Sequence, residues 1–220
     1  MQYKERTVCK MNIFTQNINK ISDSEYHYYL SLCTNERRDF LNLCKSEKYK
    51  KQSLAAEMLA KKAISELYGI EPEGITILKN KNGKPFLDCS QNRLLEDVHF
   101  NISHSGDMAA CVVSKGQTGI DIEKIRSVNM KTTKKFCTQA EKEYITDAED
   151  ENEKNIRFLK IWTLKESYLK AIGTGIAGEL KEIEFYIEES VKSSNDKYEF
   201  KLVDSIDEYI IAASCEKTVN

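Results

Sequence analysis

From Ser53 to Tyr68 the apolar residues Leu54, Met58, Leu59, Ala63, Ile64 and Leu67 recur three and four apart. That is the spacing of one face of a helix, and Gly69 supplies its stop. Two further starts carry the capping-box pattern: Ser22 with Glu25 before SEYHYYLSLC, and Thr138 with Glu141 before AEKEYI. Between Glu73 and Lys115 the period changes to two. Ile75 and Ile77, then Val98, Phe100 and Ile102, then Ala109, Cys111 and Val113 alternate with other residues. The turn residues Asn82-Gly83 and Ser105-Gly106-Asp107 break these strands. The second half repeats the order, with a helix over Ile156–Ile172, a glycine-rich loop, and strand-like EIEFYI, YEFKLV and YIIAASC. Helix-then-strands twice predicts an α+β duplication, in which each half packs a helix on a small antiparallel sheet. The halves are placed at 1–117 and 118–220.

Composition narrows the class. The 220 residues include 33 Lys+Arg against 35 Asp+Glu, a net charge of −2, which lacks the basic excess of a general nucleic-acid binder. Residues 1–117 hold 17 basic and 14 acidic side chains, net +3, and 118–220 hold 16 and 21, net −5. Much of that acidity lies in Glu141–Lys154, expected to be a solvated helix face and following loop. Only 2 prolines and 9 glycines exclude a collagenous or Pro-rich chain. No apolar run reaches the roughly 20 residues that cross a bilayer, and MQYKERTVCK has no signal-peptide core. Seven cysteines without a CxxC pair read as small buried residues in a reducing cytoplasm, with neither a disulfide framework nor a zinc site.

Three segments carry candidate chemistry. In GIDIEK (119–124), strand geometry puts Asp121 and Glu123 on one face and Ile120 and Ile122 on the other. The carboxylates suit Mg²⁺ with a phosphate ligand, or form the wet face of an edge strand. On the helix FLKIWTLKESYLKAI (158–172), Phe158, Ile161, Trp162, Leu169 and Ile172 form an apolar stripe. Glu166 and Lys170 lie one turn apart at its edge, facing a crevice or making an ordinary surface pair. Lys165 projects within the stripe's arc, a poor place for a charge without a partner. In FNISHS (100–105), Ser103 and His104 stand at a strand end where backbone N–H groups can hold phosphate, or they are plain turn residues. The three histidines have no ligand spacing, and no Ser-His-acid triad follows. Gly173-Thr-Gly175-Ile-Ala-Gly178 spells GxGxxG but follows a helix and precedes a strand. It therefore ends the helix and does not cradle a dinucleotide.

In order along the chain, GKPF at 83–86, FNISHS, GIDIEK and FLKIWTLKESYLKAIGTGI resemble the successive motifs of the 4′-phosphopantetheinyl transferase superfamily. The length suggests the surfactin-synthetase-activator type, a type associated with secondary metabolite biosynthesis. The resemblance implies two similar α+β halves with pseudo-twofold symmetry and an active site at their interface. It implies Mg²⁺-dependent transfer of the phosphopantetheine arm of coenzyme A to a serine of an apo acyl or peptidyl carrier protein, releasing adenosine 3′,5′-bisphosphate. Carried over residue by residue, Asp121, Glu123 and Glu166 hold the metal, Glu166 is the general base, and Lys170 serves the leaving phosphate oxygen. Lys165, Ser103, His104 and Lys84 contact coenzyme A, as does Arg37 of ERRDF. Phe158 and Trp162 are expected in the core. Gln52 stands where the family has an arginine that contacts the 3′-phosphate of coenzyme A, so either Lys50 or Lys51 substitutes, as a point charge without a bidentate fork, or the contact is lost.

Carrier proteins of this kind are small and acidic. Arg126, Lys131, Lys134 and Lys135, with Met130 and Phe136 interleaved, form a candidate docking strip or else a solvated basic loop. A cytoplasmic monomer is expected. Two other readings compete: a Mg²⁺-dependent nucleotide pyrophosphohydrolase, and a non-catalytic module that binds coenzyme A or a carrier protein.

Overall fold

A computed structural model describes residues 6–219 apart from 8, 82, 91, 174–179, 204 and 205. The elements run β1 (Arg6–Thr7), β2 (Asn12–Asn17), α1 (Asp23–Ser31), α2 (Asn35–Leu43), α3 (Glu47–Tyr68), β3 (Ile77–Lys79), β4 (Pro85–Leu87), β5 (His99–Ser105) and β6 (Met108–Ser114). There follow β7 (Thr118–Lys124), α4 (Thr133–Phe136), α5 (Gln139–Thr146), α6 (Glu151–Ile172), β8 (Phe185–Ile187), β9 (Val191–Ser193), β10 (Tyr198–Val203), β11 (Tyr209–Glu216) and β12 (Thr218–Val219).

The predicted capping boxes at Ser22 and Thr138 both form. The two long helices end at Gly69 and Gly173, each in the left-handed region, where a residue without Cβ is favoured. Gly175 and Gly178 of the GxGxxG lettering lie outside the described residues. Both helices begin earlier than the apolar periodicity alone indicates, at Glu47 and Glu151, with the side chains of Ser46 and Asp150 capping the first turn.

The fold is α+β with two similar halves, and it holds strands that the periodicity does not announce, β2 in the first half and β9 in the second among them. The two three-stranded antiparallel sheets have the orders β2-β6-β5 and β7-β11-β10. In each half the chain runs strand, long helix, short hairpin (β3-β4 or β8-β9), then the two remaining sheet strands. The repeat unit therefore opens on a strand rather than a helix. NIFTQN (β2) is too polar to announce itself by alternation, and its pairing with β6 supplies the order that local sequence does not.

Three layers of apolar contact follow. Ala55, Ala56, Leu59, Ala60 and Ala63 of α3 pack with Phe100, Ala109, Cys111 and Val113. Phe158, Leu159, Ile161 and Leu164 of α6 pack with Phe185, Phe200, Ile210 and Ala212. Between the halves Met108, Ala110 and Val112 meet Ile120, Ile122, Ile211 and Ala213. Strand β6 is thus buried on both faces, which explains the unbroken run AACVV where a half-exposed strand would alternate.

A backbone approach sets where α6 lies. A Cβ on Gly119 of β7 would fall inside contact distance of the Ser167 carbonyl oxygen and 2.5 Å from the Ala171 nitrogen. The helix therefore rests directly on the strand that carries Asp121 and Glu123.

Two expectations are corrected. Cys9 and Cys215 form a disulfide that ties the N-terminal segment to β11, while Cys33, Cys44, Cys89, Cys111 and Cys137 are free. The two partners are 206 residues apart, a pairing that spacing does not reveal. The acidic run from Glu141 is mostly solvated, but Glu141 itself is completely buried. Among the described residues no helix is long and apolar enough to cross a membrane.

Gly119→Ala is expected to destabilise the chain by about 3 kcal/mol or more, since overpacking against backbone cannot be relieved by a rotamer change. Urea denaturation checks this; a loss within about 0.5 kcal/mol would show that α6 has room to shift.

Candidate functional site

Strands β5 and β7 are the facing edges of the two sheets, and side chains join them. Alternation along FNISHS turns Asn101, Ser103 and Ser105 toward β7. Asn101 Oδ1 accepts from the Ile120 N–H at 3.0 Å, Ser103 Oγ donates to Asp121 Oδ1 at 3.0 Å, and Ser105 Oγ donates to Glu123 Oε2 at 3.4 Å. The same period places Phe100 in the N-terminal core. His104 packs edge-on against Tyr49 at the start of α3, with 6.0 Å between ring centroids. Burial, reinforced by the charge of Lys170, holds the His104 imidazole below the ordinary histidine range.

Helix α6 closes the group from the C-terminal half. Lys170 Nζ donates to Asp121 Oδ1 at 2.6 Å and to Ser103 Oγ at 2.9 Å. One turn earlier, Glu166 has its carboxyl pushed up from the ordinary range by burial and then by the Asp121 charge, with Lys170 opposing and Glu123 adding. Asp121 Oδ2 and Glu166 Oε1 are buried and have no hydrogen-bond partner. Two such acceptors beside one another call for a donor or a cation. Glu123 is held by Arg126 Nη1 at 2.8 Å. Among the described residues no three His, Cys, Asp or Glu side chains are arranged to hold a metal ion.

Ser103, Asp121, Glu123 and Lys170 line a cleft of about 400 Å³ that also takes in Arg37, Ser53, Lys79, Gly83 and His104, while Glu166 is not part of its wall. Arg37 Nε donates to Glu57 Oε2 at 2.7 Å and Nη2 to Ser53 Oγ at 2.8 Å, while Nη1 is buried with no partner. Lys79 of β3 stands beside it; burial and then the Arg37 charge hold its ammonium below the usual lysine range. Both cations sit over the Phe40 ring, at 5.5 and 5.0 Å from its centroid. A guanidinium with a free N–H next to a second cation attracts an anion such as phosphate.

Lys79 is a residue that the sequence reading missed. It lies on a three-residue strand with no motif, and only the fold brings it to Arg37. Near position 52, Lys50 pairs with Glu47 at 2.6 Å and Lys51 is exposed. Gln52 Nε2 instead donates to the Gly106 carbonyl at 2.8 Å and steadies the β5–β6 turn.

Two predicted contacts lie elsewhere. Lys165 is wholly buried on the far side of α6. Its Nζ donates to the carbonyl oxygens of Leu180 and Ile183, both at 2.7 Å, and pairs with Glu141 at 2.9 Å. Glu141 in turn accepts from the Phe185 and Thr138 N–H groups, at 3.0 and 2.9 Å. An ammonium has three donors, and all three are used inside the protein, so Lys165 has none left for a ligand in the cleft. Glu141 is the partner that the apolar stripe lacked.

Lys84 faces away from the carboxylates. Its Nζ donates to the Ala171 carbonyl at 3.0 Å, capping the C-terminus of α6, and burial lowers its pKa. It lines a second cleft of about 680 Å³ with Phe86, His99, Thr118, Ile172 and Tyr198. Pro85 borders both clefts. Of the basic strip, Arg126, Lys131, Lys134 and Lys135 are exposed. Phe136 is buried against Phe158 and Trp162, at centroid distances of 5.4 and 5.0 Å, and is unavailable as an anchor.

Residues 117–214 match the family model described as "4'-phosphopantetheinyl transferase superfamily", and residues 20–116 match "4'-phosphopantetheinyl transferase, N-terminal". The chain is 34% identical over 165 residues to 4'-phosphopantetheinyl transferase gsp of Aneurinibacillus migulanus, covering 74% of this chain and 66% of that one. It is 29% identical over 157 residues to 4'-phosphopantetheinyl transferase Sfp of Bacillus subtilis (strain 168), covering 71% and 67%. The solved holo-[acyl-carrier-protein] synthase (AcpS) of Thermotoga maritima aligns at 22% identity over 46% of this chain and 64% of that one, with a TM-score of 0.38. The matched stretch spans between about half and two thirds of the length of these curated relatives.

Lys165→Met is expected to cost about 3–5 kcal/mol, because it leaves Glu141 charged and unpaired in the core, and Glu141→Gln in the same chain should recover part of that loss. Chemical denaturation of both variants checks this. A stable Lys165→Met protein with weakened coenzyme A binding would return Lys165 to the cleft.

Proposed function

The chain belongs to the 4′-phosphopantetheinyl transferase superfamily, and from that membership and the geometry of its inter-half cleft we propose that it transfers the phosphopantetheine arm of coenzyme A to a serine hydroxyl of an apo acyl or peptidyl carrier protein. One observation carries the reading. The Lys170–Asp121–Ser103 cluster lines a cleft whose wall also bears Arg37 and Lys79, and Asp121 Oδ2 and Glu166 Oε1 are buried without partners.

The donor set fits Mg²⁺. Two buried carboxylate oxygens without partners are hard ligands, and Mg²⁺ takes one or two carboxylates together with substrate phosphates. Asp121 and Glu166 would hold the ion, with Glu123 joining them once Arg126 releases it. When bound, it neutralises charge on the pyrophosphate, worth several kcal/mol in the transition state.

The remaining steps belong to the chain. The carrier serine oxygen forms a bond to the phosphorus that bears the pantetheine, and the bond from that phosphorus to the bridging pyrophosphate oxygen breaks. Glu166 takes the serine proton as general base. Lys170 places its ammonium at the leaving phosphate oxygen of adenosine 3′,5′-bisphosphate. Ser103 and His104 contact the pyrophosphate, and Arg37 with Lys79 takes the remaining phosphate of the nucleotide. The pantetheine arm runs past Pro85 into the larger cleft, where Lys84 and Thr118 supply polar contacts and Phe86 and Ile172 apolar ones.

In this reading residues 1–117 contribute most coenzyme A contacts and 118–220 the carboxylates, Lys170 and the carrier-docking strip. The strip steers an acidic carrier by charge, through Arg126, Lys131, Lys134 and Lys135. Both halves lie in one chain, so a monomer suffices. A cytoplasmic setting suits the five free cysteines.

Incubation of an apo carrier protein with this chain, coenzyme A and Mg²⁺ should add one phosphopantetheine by intact mass spectrometry, and EDTA should abolish the gain. Coenzyme A bound without any gain would favour a binding module, and hydrolysis of coenzyme A a pyrophosphohydrolase. Asp121→Ala should lower transfer by at least a hundredfold with an unchanged circular dichroism spectrum; full activity would remove Asp121 from the metal. Reversing the charge of Lys134 and Lys135 should raise KM for the carrier about tenfold and leave the coenzyme A Kd unchanged, whereas unaltered carrier kinetics would dismiss the strip.

A further inference from the structure

Both carboxylates of GIDIEK are already paired with cations of the chain itself. Lys170 Nζ sits 2.6 Å from Asp121 Oδ1 and Arg126 Nη1 sits 2.8 Å from Glu123 Oε2. The two pairs differ in setting. Asp121 is nearly buried, with 9% of its side chain exposed and Ser103 fixing the same oxygen, whereas 29% of Lys170 is exposed on a flexible stem. The Arg126 side chain is 54% exposed, and such a pair is weak. Alongside, Asp121 Oδ2 and Glu166 Oε1 remain buried and unpartnered. The cluster thus contains the oxygens for a divalent cation, but an ammonium stands on the best placed of them, and no ready metal cage exists among the described residues.

We propose that Lys170 is an internal counter-ion of the carboxylate cluster that competes with the divalent cation for Asp121, and that the phosphates of coenzyme A relieve this competition by drawing Lys170 to themselves. Arg126 plays a lesser part at Glu123. The inference rests on the transferase reading for the identity of the cation's ligands and of the anion. Its physical content is a coupling: a dication and an ammonium repel one another at one carboxylate, and a nearby pyrophosphate supplies the ammonium with another partner. By linkage, coenzyme A raises cation affinity by the factor by which the cation raises coenzyme A affinity. The carboxylates stay neutralised in the free enzyme, so the site takes up the ion together with the substrate that needs it.

Mn²⁺ titration followed by electron paramagnetic resonance tests this on the full chain, without turnover. In the absence of coenzyme A, Lys170→Met should bind Mn²⁺ at least tenfold more tightly than the unaltered chain, and Arg126→Gln two- to threefold more tightly. Coenzyme A should improve Mn²⁺ binding at least tenfold in the unaltered chain and far less in Lys170→Met. Lys124→Met controls for the general field, since Lys124 lies on the same strand but pairs with Glu208. Lys170→Met binding no more tightly than the unaltered chain, or Lys124→Met matching its gain, would overturn the competition. An unchanged Arg126→Gln would leave Lys170 as the only counter-ion. Asp121→Asn that binds Mn²⁺ with coenzyme A as well as the unaltered chain would instead overturn the metal assignment on which the inference rests.

Discussion

The site depends on the absence of one side chain. Without a Cβ at Gly119, the backbone of α6 settles onto β7, close to the carbonyl of Ser167 and the nitrogen of Ala171. Glu166 and Lys170 flank that contact on the helix, and Asp121 and Glu123 follow it on the strand. Four charged groups are therefore brought together by backbone approach and need not attract one another to assemble. This order of causes matters, because carboxylates repel and would separate if their positions depended on electrostatics alone. Close packing of main chain holds them and leaves their charge available for a ligand.

Two buried polar devices keep that contact in register. On the far side of α6, Lys165 and Glu141 join the helix to α5 and to the segment at 180–185, with every donor of the ammonium satisfied. At its C-terminal end, Lys84 from the other half caps the Ala171 carbonyl. Because Lys165 and Glu166 are consecutive, about 100° apart around the helix, anchoring one residue sets the direction of the next. The two conspicuous lysines of the motifs thus act on the helix, and the cations lining the cleft beside the carboxylates are Lys170, Arg37 and Lys79.

The seam between the halves has a similar division of labour. Apolar residues of β6, β7 and β11 supply adhesion, while Asn101, Ser103 and Ser105 fix alignment through directional bonds to β7. Gly106 has φ +56° at the β5–β6 turn, and Tyr209 Oη accepts from the Asp107 N–H at 3.0 Å. The turn that follows Ser103 and His104 is therefore held by the opposite half. A cleft built from two halves in this way keeps its shape only while both sheets are folded.

The sequence by itself determined the elements and their faces: capping boxes, the apolar stripes of α3 and α6, strand alternation, and the adjacency of Glu166 to Lys170 and of Asp121 to Glu123. These are read over short separations, where helix and strand periods dictate direction. It also carried the family motifs. Tertiary structure decided what depends on partners far along the chain. NIFTQN became a strand only through β6, Cys9 met Cys215 across 206 residues, and Lys79 joined Arg37 from an unmarked strand. Lys165 found Glu141 inside the core, a pairing that local sequence flagged as a charge in need of a partner but could not complete. A residue's period says which way its side chain points, whereas only packing says what it meets there.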